Sequence, residues 1–440
     1  MTDSILTGWD FLLLFFYFIA FSFILRNIIF RKASKGEKKL LMVFFITKVM
    51  YIALQTYLVA HVWRMTDSIY VYEESKNLFG LLKKNFSNID LIFKSALNYK
   101  EVLWSDGGLG IQPGSDMEKN FFLVRIAAAF YPFALGRYLL ICFGFCVIST
   151  VGVFKLYQVM TQVYHSPVYK KAITFCLLFI PTATFYTSPI YKETLVYAFL
   201  GFMAMNIYNI YKNKSKAVNI LLLIINILFI LLVKPYTIYG LAFALALSVL
   251  IYYIARLQND NILKKLLGFI IIIGVMFLAL YIVNSNDDFI LDFVDTSNFY
   301  QEMYNTGGAG SSFEIGQIET SLTGLIEKAP LAFYTTYFRP HLWEADNAFM
   351  LFNALESFLL FVLVLYTVIR RFRSINLYFK ESILAKVILY YCIIMGILIG
   401  LTTFNFGTIV RYKATSMPFF CMMWFIILFH TGSARKKTAE

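Results

Sequence analysis

An all-α, polytopic transmembrane helix bundle of about eleven spans is the fold class this sequence predicts, with amphipathic helices in two long extracytoplasmic loops. Three observations predict it. Apolar stretches near the roughly 20 residues that cross a bilayer recur along the whole length. The 440 residues are 59% hydrophobic and only 15% charged, with a mean hydropathy of +0.68; a soluble domain of this size needs far more polar surface. The basic residues that bring the net charge to +13 gather in short segments between apolar runs, the pattern of cytoplasmic loops. That clustering argues against nucleic acid as a partner, and one membrane domain over 1–440 is the expected organisation.

The spans are placed at about 11–30, 40–61, 138–158, 172–188, 194–211, 217–234, 236–255, 266–284, 348–369, 385–402 and 416–431. The first run, Phe11 to Phe30, lacks the basic n-region and small-residue cleavage site of a signal peptide. Arg31, Lys32, Lys35, Lys38 and Lys39 follow it. Further basic loops hold Lys170 and Lys171, then Lys212, Lys214 and Lys216, then Arg256, Lys264 and Lys265, then Arg370, Arg371 and Arg373, and finally Arg435 to Lys437. Taking these as cytoplasmic puts the N-terminus outside and the C-terminus inside.

The opposite set includes the two long loops, at about 62–120 and 285–347. The second is acidic, with Asp287, Asp288, Asp292 and Asp295 at its start, against only Lys328 and Arg339. In the first, Leu78, Phe79, Leu81, Leu82 and Phe86 form one apolar face with Glu74, Lys83 and Lys84 outside it, suiting helices that rest on the membrane. Trp104 to Gly114 is turn-rich, and Phe121 to Leu135 is read as a helix at the outer interface. In the second loop, Gly307, Gly308, Gly310, Ser311 and Ser312 predict a flexible segment. Ser321 to Phe338 predicts a short helix that Arg339-Pro340 ends.

Asp67 follows the second span within Thr66-Asp67-Ser68. A carboxylate at the mouth of a membrane cavity can serve as a general base, but all three residues are also good helix caps. Pro181 to Glu193 reads PTATFYTSPIYKE, a polar turn between apolar runs that ends in Lys192 and Glu193. Lys192 is either a point charge for a phosphate, the cation of a local ion pair, or a lysine snorkelling to the interface. Lys234 ends an apolar run before Pro235-Tyr236; Arg339 lies in Phe-Arg-Pro-His, and Arg411 precedes Tyr412. Lys192, Lys234, Arg339 and Arg411 all fall on the outer side, where basic residues are disfavoured, so a shared anionic ligand is expected to gather them. Glu356 and Lys48 lie inside spans and either pair structurally or mark an ion path. The five cysteines, Cys142, Cys146, Cys176, Cys392 and Cys421, sit in apolar runs and suit packing. The four histidines are scattered, and neither a metal cluster, a phosphate-binding glycine loop nor a hydrolase elbow is present.

On these residues the chain resembles polytopic glycosyltransferases of the C-type (GT-C) superfamily, of the kind encoded in bacterial surface-polysaccharide loci. Four features bear the resemblance: Asp67 with Tyr70 and Tyr72 opening the first long loop, the amphipathic helices after it, the Pro181 to Tyr186 turn ending in Lys192-Glu193, and Arg411-Tyr412 with Pro418 entering the last span. The resemblance implies a bacterial inner-membrane enzyme that transfers a sugar from a polyprenyl-phosphate carrier to a glycan or lipid acceptor. Asp67 would be the catalytic acid or base, Lys192, Lys234, Arg339 and Arg411 the donor-phosphate ligands, and Tyr70, Glu193 and Glu356 supporting residues. No cofactor is required, although a divalent cation is compatible. The sequence departs from the family in placing an extra span before the acidic loop. Its second acid is open among Glu73, Glu74, Asp106 and Asp116. The competing expectations are an O-antigen-type polysaccharide polymerase, a lipid-linked oligosaccharide flippase or transporter, and a non-catalytic scaffold.

Overall fold

The computed structural model describes residues 6–63, 66–105, 117–256, 287–306 and 311–430. Among them the chain is helical almost throughout, and its one β feature is an isolated bridge between Ser312 and Asn405. Among the described residues eight helices are long and apolar enough to cross a membrane, or nine if one bent pair counts as a span. This is a multi-pass helical membrane protein. The chain divides into two compact units, residues 1–165 with 173–238, and residues 166–172 with 239–440.

The first unit opens with α1 (Gly8–Ile24), continued by a π-helical turn at Leu25–Ile29, and α2 (Lys35–Leu58), continued by a second such turn at Val59–Trp63. Ser34 starts α2 with a capping box: its hydroxyl accepts from the Glu37 amide while the Glu37 carboxylate takes the Ser34 amide. Then come α3 (Asp67–Lys84), α4 (Ala96–Ser105), α5 (Met117–Phe130) and the long α6 (Tyr138–Val163). The apolar part of α5, Asn120–Phe130, is too short for a full crossing. It is packed in protein, against α3, α6 and α10 (Lys216–Val233).

The expected span at 172–188 is not one helix. α7 (Pro167–Thr174) passes into a π-helical turn at Phe175–Phe179, Ile180 is extended, and α8 (Pro181–Tyr186) lasts less than two turns. Pro181 explains the break, since its ring pushes the preceding residue out of the helical region while suiting the first position of a new helix. After the turn at 187–191 come α9 (Lys192–Tyr211), α10, and α11 (Pro235–Arg256). The centre of the unit is a close crossing of α6 and α9. A Cβ on Gly201 would lie 1.9 Å from the Gly152 carbonyl oxygen, and one on Gly152 would lie 2.3 Å from that of Ala198. Small residues let membrane helices approach to this distance.

The second unit contains α12 (Asp287–Thr306), α13 (Leu322–Phe338), α14 (Ala348–Glu381), α15 (Ile383–Thr402), α16 (Phe406–Lys413) and α17 (Met417–Phe429). Further expectations are corrected here and in the first unit. The basic stretch Arg370 to Arg373 is a continuation of α14 across a kink at Arg371, not a loop. The span expected at 416–431 is present as α17, and a bend of 63° separates it from α16 before it. Ser311 and Ser312 are ordered, because the Phe313 amide donates to Phe404 and the Phe406 amide to Ser311. Glu74, assigned to a polar face, is 1% exposed, while Phe86 lies beyond the end of α3 and is 75% exposed. The predicted span at 266–284, the tip of the first loop at 106–116 and glycines 307–310 lie outside the described residues.

The helix predicted at Ser321 to Phe338 forms as α13, capped by the Ser321 hydroxyl, which accepts from the Gly324 amide. It is not a free loop helix. It crosses α15 so closely that a Cβ on Gly400 would lie 2.1 Å from the Ala332 carbonyl oxygen. The Thr336 hydroxyl donates to the Gly396 carbonyl at 2.7 Å, and Tyr337 donates to Cys392 and Ser416.

Gly201→Ala and Gly400→Ala are each expected to lower the thermal unfolding midpoint of the detergent-solubilised protein, by the equivalent of about 1–3 kcal/mol for an overpacked contact. Gly80→Ala, in α3 with open space around the new methyl, is expected to leave it unchanged or raise it slightly.

Candidate functional site

The residues singled out in the first unit converge on one polar seam. Thr66 is the extended residue before α3, and Asp67 is its first helical residue. The position suits a carboxylate, because unpaired amides at a helix start favour negative charge. Asp67 is exposed, whereas the next residue, Ser68, is fully buried. The Ser68 hydroxyl accepts from Tyr138 at 2.9 Å and from the Gln55 amide at 3.3 Å, and lies 2.8 Å from the Thr66 hydroxyl. Gln55, 0% exposed within α2, also receives the Tyr138 hydroxyl proton at 3.2 Å and donates to the Tyr191 oxygen at 3.4 Å. Tyr191 is the residue immediately before α9, so the seam joins the Asp67 end of α3 to the Lys192 end of α9.

Lys192 is half-buried at the first position of α9 and Glu193 is 2% exposed at the second. Glu193 Oε1 receives the Lys234 ammonium at 2.5 Å. Lys234 stands in the break between α10 and α11 because Pro235 excludes a helical conformation at the residue before it. It is 4% exposed, with its Nζ 5.5 Å from the Tyr236 ring. The expected outer-side lysine is therefore the cation of a buried ion pair with Glu193, 41 residues away in the chain.

Farther along α3, Tyr70 is half-buried and its phenol is pushed up to about 12 by burial and then by the charge of Glu74. Glu74 itself accepts from Lys100 Nζ at 2.7 Å and from the Tyr99 hydroxyl at 2.7 Å. Helix α4 folds back to deliver both partners, which is why a carboxylate expected in solvent is enclosed. Of the other acids considered, Glu73 faces Lys76 at 3.9 Å, and Asp106 and Asp116 lie outside the described residues.

Arg339 and Arg411 belong to the second unit. The Arg339 guanidinium lies 4.9 Å from the Phe313 ring and 5.1 Å from the Phe406 ring, and Glu344 holds it through both carboxylate oxygens. Burial opposes ionisation of Glu344, but hydrogen bonds from Arg339 and the His341 amide outweigh it and keep this carboxyl below the usual glutamate range. The Arg339 carbonyl oxygen accepts from Lys413 Nζ at 3.2 Å and from the Ser357 hydroxyl at 3.2 Å. Glu356 interacts electrostatically with Lys413, while Lys48 in the first unit donates to Ser149 and to the Thr187 carbonyl. Arg411, half-buried on α16, lies over its neighbour Tyr412 at 5.1 Å. Phe406 and Lys413, at the two ends of α16, both touch Arg339, so α16 runs alongside that arginine.

Neither a family model, a curated protein nor a solved structure matches this chain. Among the described residues no group of three or more His, Cys, Asp or Glu side chains is placed to hold a metal ion. Gln55 and Tyr138 were not singled out from the sequence; Ser68 was read only as a cap candidate and Tyr191 only as part of the turn at 181–193. The usable signal was Gln55, an amide in the middle of an apolar run.

Breaking the buried pair should cost far more than replacing it. Lys234→Met alone is expected to destabilise the protein by about 3–5 kcal/mol, since it removes the cation that faces the buried Glu193 carboxylate at 2.5 Å. The double variant Glu193→Gln with Lys234→Met is expected to recover most of that loss, read as thermal unfolding midpoints in one detergent. A second expectation concerns pH. Because the Glu344 carboxyl is held below its ordinary value, its contribution is present at neutral pH and disappears as pH falls through the lowered value. Glu344→Gln should therefore flatten the acid limb of a midpoint-against-pH curve.

Proposed function

We propose that this protein is a membrane glycosyltransferase that moves a sugar from a polyprenyl-phosphate-linked donor to a glycan or lipid acceptor of the cell envelope. In this reading it works at the extracytoplasmic end of the bundle in a bacterial inner membrane, with the N-terminus outside and the C-terminus in the cytoplasm. The observation that supports it is the buried seam through Ser68, Gln55 and Tyr191, which holds an exposed carboxylate and a half-buried lysine at one end of one unit.

Asp67 takes the proton of the acceptor hydroxyl, and that oxygen forms a bond to the anomeric carbon. The bond from the anomeric carbon to the phosphate oxygen breaks, and the polyprenyl phosphate leaves with the electron pair. Lys192 meets the charge that develops on the phosphate. Glu193 and Lys234 act behind it, where their ion pair fixes the start of α9 against the break before α11. The many lipid-facing apolar side chains of α1, α10 and α14 suit a donor that arrives through the bilayer.

One observation favours a second reading, a transporter of lipid-linked glycans. The segment from Phe175 to Tyr191 is a broken helix, and its Thr187 carbonyl is held by the buried ammonium of Lys48; interrupted helices are typical of transport sites.

The two readings separate on one residue. In proteoliposomes supplied with polyprenyl-phosphate hexoses and pentoses and an envelope acceptor, Asp67→Asn is expected to lower release of polyprenyl phosphate by about 100-fold or more, with the unfolding midpoint unchanged. Lys192→Gln is expected to raise the KM for donor. Full turnover in Asp67→Asn overturns the proposal; transbilayer movement of the lipid lost in Lys48→Met but kept in Asp67→Asn would establish the transporter.

A further inference from the structure

A cavity of about 390 Å³ opens in the first unit between the end of α1 and the last turns of α6. Its formation follows from local chemistry. The π-helical turn at Leu25–Ile29 widens the end of the first span, and the chain then folds inward at Phe30, which is 5% exposed and meets Phe154 edge-on at 5.1 Å. Arg31 and Lys32 follow at once and form one wall. Gln158 and Gln162, one turn apart on α6, form the opposite wall. Ile28 and Ile29, 63% and 43% exposed, continue the cavity onto the apolar flank of α1.

The charges in this cavity are unevenly committed. Glu37, its one carboxylate, already accepts the Ser34 amide in the capping box of α2. Arg31, Lys32 and the two glutamine amides make no hydrogen bond or ion pair with the protein among the described residues. Two cations against one carboxylate leave a single positive charge in excess. That excess suits a headgroup carrying one phosphate and no ammonium. The glutamine amides and the remaining lone pairs of Glu37 suit hydroxyl groups, and the exposed isoleucines suit an acyl chain.

We propose that this cavity is a binding site for an anionic glycerophospholipid with a hydroxylated headgroup, of the phosphatidylglycerol class. Arg31 and Lys32 take the phosphate, Arg31 through paired N–H donors. Gln158, Gln162 and Glu37 take the headgroup hydroxyls, and Ile28 and Ile29 lie along the first carbons of a chain. The site stands apart from Asp67: α2 separates them, and its 24 residues extend about 36 Å. The lipid would lock the end of α1 to α6, a junction made otherwise by few buried side chains of α1.

The test uses the delipidated full chain in a neutral detergent, with binding followed by native mass spectrometry. Phosphatidylglycerol is expected to bind more tightly than phosphatidylethanolamine or phosphatidylcholine of the same chain length, and glycerol phosphate without chains to bind far more weakly than any of them. Arg31→Gln with Lys32→Gln is expected to weaken phosphatidylglycerol about tenfold or more, and Gln158→Ala with Gln162→Ala to weaken it less. Lys212→Gln with Lys214→Gln, which removes two charges from a different basic turn, is expected to leave it unchanged. Each variant is first shown to have the wild-type unfolding midpoint without lipid; if the cavity pair lacks it, Arg31→Lys and Lys32→Gln are measured singly. Equal binding of the three lipids, or equal loss in the control pair, overturns the site. Glycerol phosphate binding as tightly as the whole lipid overturns the lipid assignment in favour of a free phosphate compound.

Discussion

Gln55 is the residue on which the Asp67 end of the first unit depends. Its side chain is fully buried in an apolar helix, so each of its polar atoms must find a partner within the protein or cost several kcal/mol. It finds Tyr138, Ser68 and Tyr191. One amide thereby fixes α2, α3, α6 and the start of α9 relative to one another. Asp67 and Lys192 adjoin two of those partners in sequence, so their positions follow from the satisfaction of a group that does no chemistry itself.

The same demand organises the other buried polar groups. Lys48 is solvated by the Ser149 hydroxyl and the Thr187 carbonyl, left without a helical acceptor role where α8 stops. Glu193 and Lys234 neutralise each other at two helix breaks, and Lys413 meets the Arg339 carbonyl beside Ser357. In each case a broken helix supplies the carbonyls or the room, and an ionisable side chain from a neighbouring helix occupies it. At these three places helix interruption and buried charge go together; the Glu74–Lys100 pair is buried between two unbroken helices instead. Where helices run against each other at close range, as α6 on α9 and α13 on α15, glycine lets the backbones touch.

The broad architecture was legible because bilayer crossing demands long apolar segments, and length and composition are properties of the sequence alone. The boundaries near Ser321 and Arg339 were legible too, since capping and proline act over three or four residues. The segment at 172–188 was misread because composition counts apolar residues but is blind to the conformational veto of Pro181 within them. The site was legible residue by residue, not as an arrangement. Asp67, Lys192 and Glu193 stand out by type and position, whereas the seam between them runs through Gln55 and Tyr138, at separations of 83 and 136 residues. Lys234 illustrates the same limit: its isolation in sequence suggested a free cation, and its partner lies 41 residues away.

By itself, the sequence determined that the chain is a multi-pass helical membrane protein and which ionisable residues interrupt its apolar runs, because hydrophobicity and charge need no partner to be expressed. Only the tertiary structure decided which of those charges are spent on each other, that Glu74 is enclosed by α4, and that the loop after α1 closes on α6 around a polar cavity. Those outcomes depend on distances between residues far apart in the chain, and such distances are fixed only when the helices pack.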